Sequence, residues 1–423
     1  MGVSRSARFI ESCPPPTHMR RPAYLAMLAA SVLTVACDPP PPPLTTAEFD
    51  SGVLEEVDLA QPTSIDIGPD GRLYVSEVLG RLLAVTLSED GRAAESVEVI
   101  VEADTFEQAL GIAVHSSGDI YVSDNYINGT GSGPFSNNIV RLVAPEYTER
   151  EVVVSGLPVS GHNHGTNDLE FGPEDRLFIA QGGMTSSGAP SEEDDPRWLG
   201  WDETPLSGAI LVADVRASAF DGDLVYDSAE ATSRTNLVSG DVQVFSSGHR
   251  NTYDIEFHSN GLLYSVDNGS SEPVPESIDC DTLGPPPEND PDQLNVVDEG
   301  AYYGHANRNR GRFDEQQCEN VSPFDEDTED SMIQLVPPST NSVLEIREGV
   351  FPESWEGDLL IGWWSGGELR RMILAEDGRS IVAQEIVMQD LSAPISMVQD
   401  PRTGIIYVAE FAGGTIRYLA PSS

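Results

Sequence analysis

The same short phrase recurs six times along this chain, and that repetition limits the fold more than any other feature. An alternating apolar run, a turn and a second strand with Tyr, Phe or Leu read SIDIGPDGRLYVSE (64–77), GIAVHSSGDIYVSD (111–124), DLEFGPEDRLFIAQ (168–181) and DIEFHSNGLLYSVD (254–267). A degenerate copy, GDLLIGWW, lies at 357–364, and a last one, ISMVQDPRTGIIYVAE, at 395–410. Period-two alternation on both sides of a Gly, Asn or Asp turn is hairpin chemistry. Third strands follow most copies, in RLLAVTL, NIVRLVA, GAILVADV, ELRRMIL and TIRYLAP, and fourth strands follow in SVEVIV, EVVVSGL and AQEIVM. Six copies of a four-stranded unit predict an all-β, six-bladed β-propeller. A plain β-sandwich does not account for six copies in phase.

Equivalent positions in the copies are Tyr74, Tyr121, Phe178, Tyr264, Leu360 and Tyr407, separated by 47, 57, 86, 96 and 47 residues. The short intervals suit one blade. The excess in the others predicts long loops, placed at about 182–208 and 270–342, and long loops in compact domains are commonly functional. The last copy runs out after three strands. Its missing fourth strand is expected from GVLEEVDL (52–59), which would close the ring and remove a sheet edge. The propeller is therefore assigned to residues 48–420.

What precedes the propeller reads as an address. Residues 19–37, MRRPAYLAMLAASVLTVAC, place two arginines before an apolar stretch ending in Ala36-Cys37. That is the pattern of a secretory signal over 1–36, with Met19 a candidate start. Cys37 directly after Ala36 resembles the bacterial lipobox, which implies a lipid-anchored protein of the cell envelope, periplasmic or surface-exposed; simple secretion is the alternative. Residues 37–47, with the run Pro39–Pro43, form a stiff spacer. Of the other cysteines, Cys13 falls in the signal region. Export then leads us to expect a disulfide between Cys280 and Cys318.

Charge excludes one class of partner. The chain carries 70 acidic residues against 23 basic ones, a formal net charge of −47, and it contains no lysine. A protein that tracks nucleic-acid phosphates needs a basic stripe, and none can be assembled here.

A propeller alone names no chemistry. The informative segments flank inner strands: FEQALGIAVH, SGHNHGTNDLEFGPEDRLFIAQGG, SSGHRNTYDIEFHSNGLLYSVDNG and DQLNVVDEGAYYG. They contribute Gln108, His162, His164, His249, Arg250, Asn251, Asp267 and Asp292. In their order, H-x-x-x-x-L-x-F-G-P, then G-x-R-N, then D-N-G, then D-x-x-N-x-V-x-x-G-x-x-Y-G, these segments resemble the soluble glucose/sorbosone dehydrogenase family over most of residues 50–419. The resemblance implies a six-bladed propeller that holds pyrroloquinoline quinone (PQQ) and Ca²⁺ and oxidises aldose sugars, passing electrons to an external acceptor. It places His164 on the family's general base, and Arg250 and Asn251 on the Arg-Asn pair that contacts the quinone. Gln108 or Glu107 falls on a polar cofactor contact, and the backbone carbonyls of Gly269 and Ser270 fall near the calcium ligands. The family's lysine position reads Trp363-Trp364-Ser365 in this chain, and its paired arginines read Ser392-Ala393-Pro394. Two other functions stay open on the sequence: a cofactor-free propeller that binds carbohydrate or protein, and a metal-dependent lactonase-like hydrolase. Asp267 and Asp292 could hold calcium or a turn of backbone. Tyr302, Tyr303, Trp363 and Trp364 could stack on a sugar or pack between blades.

Overall fold

The structure, a computed structural model, describes residues 49–126, 133–160, 164–186, 188, 200–232, 235–269, 291–305, 307, 332–349 and 351–421. They form six antiparallel four-stranded sheets. Numbered in chain order, blades 1 to 6 begin with inner strands Pro62–Ile67, Ala109–Val114, Thr166–Phe171, Thr252–Phe257, Thr340–Glu345 and Pro394–Gln399. Each inner strand packs against those of its two neighbours, and the ring closes between blades 6 and 1. The chain is a six-bladed propeller.

The core lies between the blades. Six apolar clusters each join one adjacent pair; Ile65, Val75 and Leu83 of blade 1, for example, meet Ile395 and Tyr407 of blade 6. The six equivalent positions of the repeat, Tyr74, Tyr121, Phe178, Tyr264, Leu360 and Tyr407, are all buried on second strands. Where the residue is Tyr, its hydroxyl can serve the next blade as well. Tyr264 donates to Gly378 O at 2.8 Å, Tyr407 donates to Gly91 O at 2.6 Å, and the Tyr74 hydroxyl meets that of Tyr147 at 2.8 Å. An aromatic body with a polar tip thus seals the interface and pins a turn of the neighbouring blade.

Two expectations shift. The closing strand is Phe49–Val53, not residues 52–59, and it pairs with Thr415–Pro421 from Phe49↔Pro421 to Val53↔Arg417. Beyond Leu54, whose N–H still donates to Ile416 O, the chain turns into blade 1, where Leu54, Val57 and Leu59 are buried. The stretch 270–342 is not one loop, because Asp292–Val297 and Met332–Val336 are the third and fourth strands of blade 4. Part of the long interval in blade 3 is a small hairpin, Val225–Tyr226 with Leu237–Ser239, inserted before the fourth strand. Cys37, Cys280, Cys318, His162 and Ser270 lie outside the described residues.

Inner strands are sheet edges, and their N–H groups face a channel without a further strand to pair with. Side chains from the preceding blade satisfy them in a repeating pattern. At the third position, Ser396, Ser64, Asp168 and Asp254 accept from Ile65, Ile112, Ile255 and Val343 N–H. At the fifth, Asp66, Glu170 and Glu256 accept from Val114, Phe257 and Glu345 N–H. Five carboxyl groups are thereby drawn into the wall of a channel cavity of about 240 Å³, with Arg347 at the end where the inner strands finish.

Candidate active site at the channel mouth

At the opposite end, where the chain enters the inner strands, the repeat's terminal residue has a different task. Glu77, Asp124, Asp267 and Glu410 close second strands, and each carboxylate accepts an N–H from the segment leading into its own blade. Glu77 accepts from Ala60, Asp124 from Glu107, and Glu410 from Ser392. In blade 4, Asp267 accepts from both Arg250 N–H, at 3.0 Å, and Asn251 N–H, at 2.7 Å. The mouth is thus built by carboxylates that hold loops.

Around this end the structure gathers the described residues that the sequence singles out. His164 is 2% exposed and precedes the inner strand of blade 3. Its Nδ1 lies 3.1 Å from Gly183 O, and since a carbonyl can only accept, Nδ1 carries the hydrogen. In a neutral ring that tautomer puts the lone pair on Nε2. Burial holds the imidazole well below its ordinary pKa, and the nearby Arg250 and His305 push in the same direction; the bond to Gly183 opposes them. His164 is therefore neutral at physiological pH.

Gly183 also joins His164 to Arg250, because its N–H donates to Arg250 O at 2.7 Å. The Arg250 guanidinium reaches across the mouth: Nε donates to Ser186 O at 2.7 Å, and Nη1 to Asn268 O at 3.2 Å. The buried Asn251 accepts from Asn167 Nδ2 at 2.7 Å through Oδ1. A Cβ added at Gly182 would stand 2.6 Å from that oxygen and 2.9 Å from His164 Cβ, so only glycine lets the two approach. Gln108 sits one residue before the inner strand of blade 2, and Asn125 links it to the loop of His164. Asn125 N–H donates to Gln108 O, while Asn125 Oδ1 accepts from Thr166 N–H at 2.7 Å. Gln108 Oε1 is buried with no hydrogen-bond partner among the described residues. Gly269 follows Asn268, and its N–H donates to Asp292 Oδ1 at 3.0 Å.

The acids of this end serve the backbone. Asp292 accepts from Gly269 N–H, Thr340 N–H and Asn268 Nδ2, and burial raises its pKa to about 7. Asp267 is committed to the Arg250–Asn251 turn, and burial raises it too. Among the described residues, no group of three His, Cys, Asp or Glu side chains could hold a metal ion. Of the aromatic candidates, the tyrosines are packed and the tryptophans half-buried: Tyr303 stacks on His249 at 4.3 Å and donates to Val296 O, and Tyr302 donates to Gly304 O. Trp363 donates to Pro338 O beneath Arg370, and Trp364 lies against Phe411. The sequence reading passes over Glu203 and His305, both fully buried behind Gly183; no motif spans residues 102 apart, so only the fold brings them together.

The sequence over residues 59–417 matches the model of the glucose/sorbosone dehydrogenase family. No curated protein matches the chain. The fold is similar to that of the PQQ-bound aldose sugar dehydrogenase of Streptomyces coelicolor, at 18% identity and a TM-score of 0.53, covering 88% of this chain and 98% of that one. It is also similar to the apo form of the soluble aldose sugar dehydrogenase of Escherichia coli, at 16% identity and a TM-score of 0.60, covering 89% and 100%. The PQQ domain of pyranose dehydrogenase from Coprinopsis cinerea gives 14%, 0.58, 89% and 98%. These structural likenesses speak for the propeller, and the match of residues 59–417 speaks for descent: the chain belongs to the glucose/sorbosone dehydrogenase family, as a sugar-dehydrogenase-like oxidoreductase.

Proposed function

We propose that the protein oxidises an aldose sugar or related aldehyde at the channel mouth, using bound PQQ and passing the electrons to an external acceptor. The observation that carries this reading is a buried, neutral His164 whose tautomer is fixed by Gly183, with Arg250 and Asn251 on the same glycine pair.

The donor set fits the reacting end of an ortho-quinone. His164 supplies a base, Arg250 a cation, and Asn251 and Gln108 amide groups; Gln108 Oε1, which has no hydrogen-bond partner among the described residues, would accept an N–H of the group, while its oxygens would need the N–H donors. Trp363-Trp364-Ser365 and Ser392-Ala393-Pro394 supply no cations for its carboxylates, so tight retention has to come from hydrogen bonds and stacking. Calcium, which the resemblance implies, would rest on the carbonyl oxygens of Gly269 and Ser270; no step uses the ion.

When bound, the quinone supplies the hydride acceptor and the two-electron redox chemistry. The protein's share is proton and charge handling. Nε2 of His164 takes the hydroxyl proton as the C1–H bond breaks, which a neutral imidazole can do near pH 7. The Arg250 guanidinium stabilises the negative charge that develops on oxygen during the transfer. Asp267 fixes the Arg250–Asn251 turn, and the glycines at 182 and 183 let the groups approach.

We further propose export and lipid anchoring at Cys37 as the setting, with the signal removed and the Cys280–Cys318 disulfide formed. No helix of the described residues is long and apolar enough to cross a membrane. The test is reconstitution of purified protein with PQQ and Ca²⁺, followed by dye reduction across a panel of aldoses. Sugar-dependent reduction is the expected result. Absence of both turnover and quinone binding would overturn the reading in favour of a carbohydrate-binding propeller.

A further inference from the structure

Behind Gly183 lies a buried carboxylate that the mechanism above does not use. Glu203 is 1% exposed and sits after the long loop of blade 3. Its Oε1 accepts from Thr185 N–H at 2.9 Å, Thr185 Oγ1 at 2.7 Å and His305 Nε2 at 2.8 Å. Its Oε2 accepts from Ser207 Oγ at 2.5 Å and Met184 N–H at 3.0 Å. Burial alone would raise this carboxyl, but His305, Ser207 and Thr185 together overcome it and bring the pKa down to about 2, so Glu203 is an anion.

The Met184 N–H belongs to the same peptide group as the Gly183 carbonyl, and that carbonyl accepts the Nδ1–H of His164. One peptide plane thus has a carboxylate on its N–H and an imidazole N–H on its oxygen. Hydrogen bonds in series polarise one another, so an anion on the N–H makes the carbonyl a stronger acceptor. The absence of a side chain at residue 183 is part of the arrangement, because a Cβ there would stand 2.9 Å from both Glu203 Oε1 and His305 Nε2.

We propose that Glu203 is a positioning residue for His164, acting through the Gly183–Met184 peptide to hold the Nδ1–H tautomer and strengthen Nε2 as a proton acceptor. A carboxylate bonded directly to a histidine orients it in the same sense; here the peptide stands between them, and the effect is correspondingly smaller. The inference rests on His164 being the base, but the relay itself can be read without turnover.

The decisive experiment labels the seven histidines and the Gly183 carbonyl for NMR, and compares wild type with Glu203→Gln. The amide keeps the shape and removes the charge. The expected result is a weakened Nδ1–H bond at His164, read as an upfield shift of that proton and a smaller excess of the Nδ1–H tautomer, together with a shift of the Gly183 carbonyl resonance towards weaker hydrogen bonding. In reconstituted enzyme, kcat should fall about tenfold while KM changes less than about twofold. A folded Glu203→Gln protein with both resonances unchanged would overturn the proposal. If that variant does not fold, Ser207→Ala serves instead, since it removes one competing donor from Oε2. It should strengthen the Met184 N–H bond and shift the Gly183 carbonyl in the opposite direction; an unmoved carbonyl there would equally overturn the relay. If the relay is seen but His164→Ala retains full turnover, the assignment of the base fails and the relay stands.

Discussion

The mouth and the interior of the channel are built by the same six blades, yet they use acidic residues in opposite ways. At the mouth, Asp124, Asp267 and Glu410 turn their carboxylates onto loop N–H groups, beside His164 and Arg250, the groups proposed for chemistry. In the interior, Asp66, Asp168, Glu170, Asp254 and Glu256 face one another across a narrow space. Burial comes first in raising every one of them: Asp66 to about 6, Asp168 and Glu256 to about 7, and Glu170 and Asp254 well above the usual carboxylate range. The charge of Asp168 adds to the burial that raises Asp254, so the two carboxyls resist being ionised together. Arg347 offsets only the far end, through Glu256 at 2.9 Å. Desolvation is common to both regions. At the mouth it keeps a histidine neutral, in the form that can accept a proton; inside, it keeps carboxylic acids protonated.

The largest expected effect comes from removing the base. In reconstituted enzyme, His164→Ala should lower turnover by about 10²–10⁴ with the thermal midpoint preserved. Arg250→Ala comes next, at about 10²–10³ in rate together with weaker quinone retention, since its charge serves both. Kinetics and equilibrium dialysis on the same sample would separate the two contributions. Asp267→Asn tests whether the mouth's acids are structural. The amide must face a donor N–H of Arg250 or Asn251, at a cost of about 1–3 kcal/mol in unfolding free energy. A denaturant melt showing no loss would return Asp267 to the list of ligand-binding groups.

The interior predicts a pH dependence of definite sign. These carboxyls hold protons in the native state that the unfolded chain gives up above about pH 4, so unfolding free energy should fall as pH rises from there through about 7. Melting should accordingly occur at higher temperature near pH 5 than near pH 8. Asp168→Asn, which fixes one partner of the pair as neutral, should flatten this slope with the smallest effect of the series. An unchanged slope would mean the channel carboxyls do not govern it.

Much of this was legible in the sequence, for a physical reason. A repeat whose second strand carries one large residue at a fixed register announces itself, because each copy must seal the same interface; Tyr74, Tyr121 and Tyr407 do so. The acid ending most copies was equally visible as Glu77, Asp124, Asp267 and Glu410, although its task of holding a loop N–H needed coordinates. The closing strand was misplaced by a few residues because GVLEEVDL and EFDSGV alternate about equally well, and only the pairing to Arg417–Pro421 decides between them. The third strand of blade 4 was hidden by its neighbours, as DQLNVV directly follows an acidic, Pro-rich stretch, GPPPENDP. The motifs lead to His164, Arg250 and Asn251, the residues proposed for the site, which the fold joins through Gly182 and Gly183. Glu203 and His305 could not be found that way, since they are 102 residues apart and meet only beside Gly183 in the folded chain.

The central claim, a neutral desolvated base at the mouth above a protonated channel, is tested most directly by the pH dependence of kcat/KM in reconstituted wild type between about pH 5 and 8. Because burial, Arg250 and His305 hold His164 well below its ordinary value, the profile should lack the acid limb an ordinary histidine would give near 6.5, even as the protein's thermal midpoint falls with rising pH. An acid limb with its midpoint at or above about 6.5, the ordinary histidine value, would contradict the account.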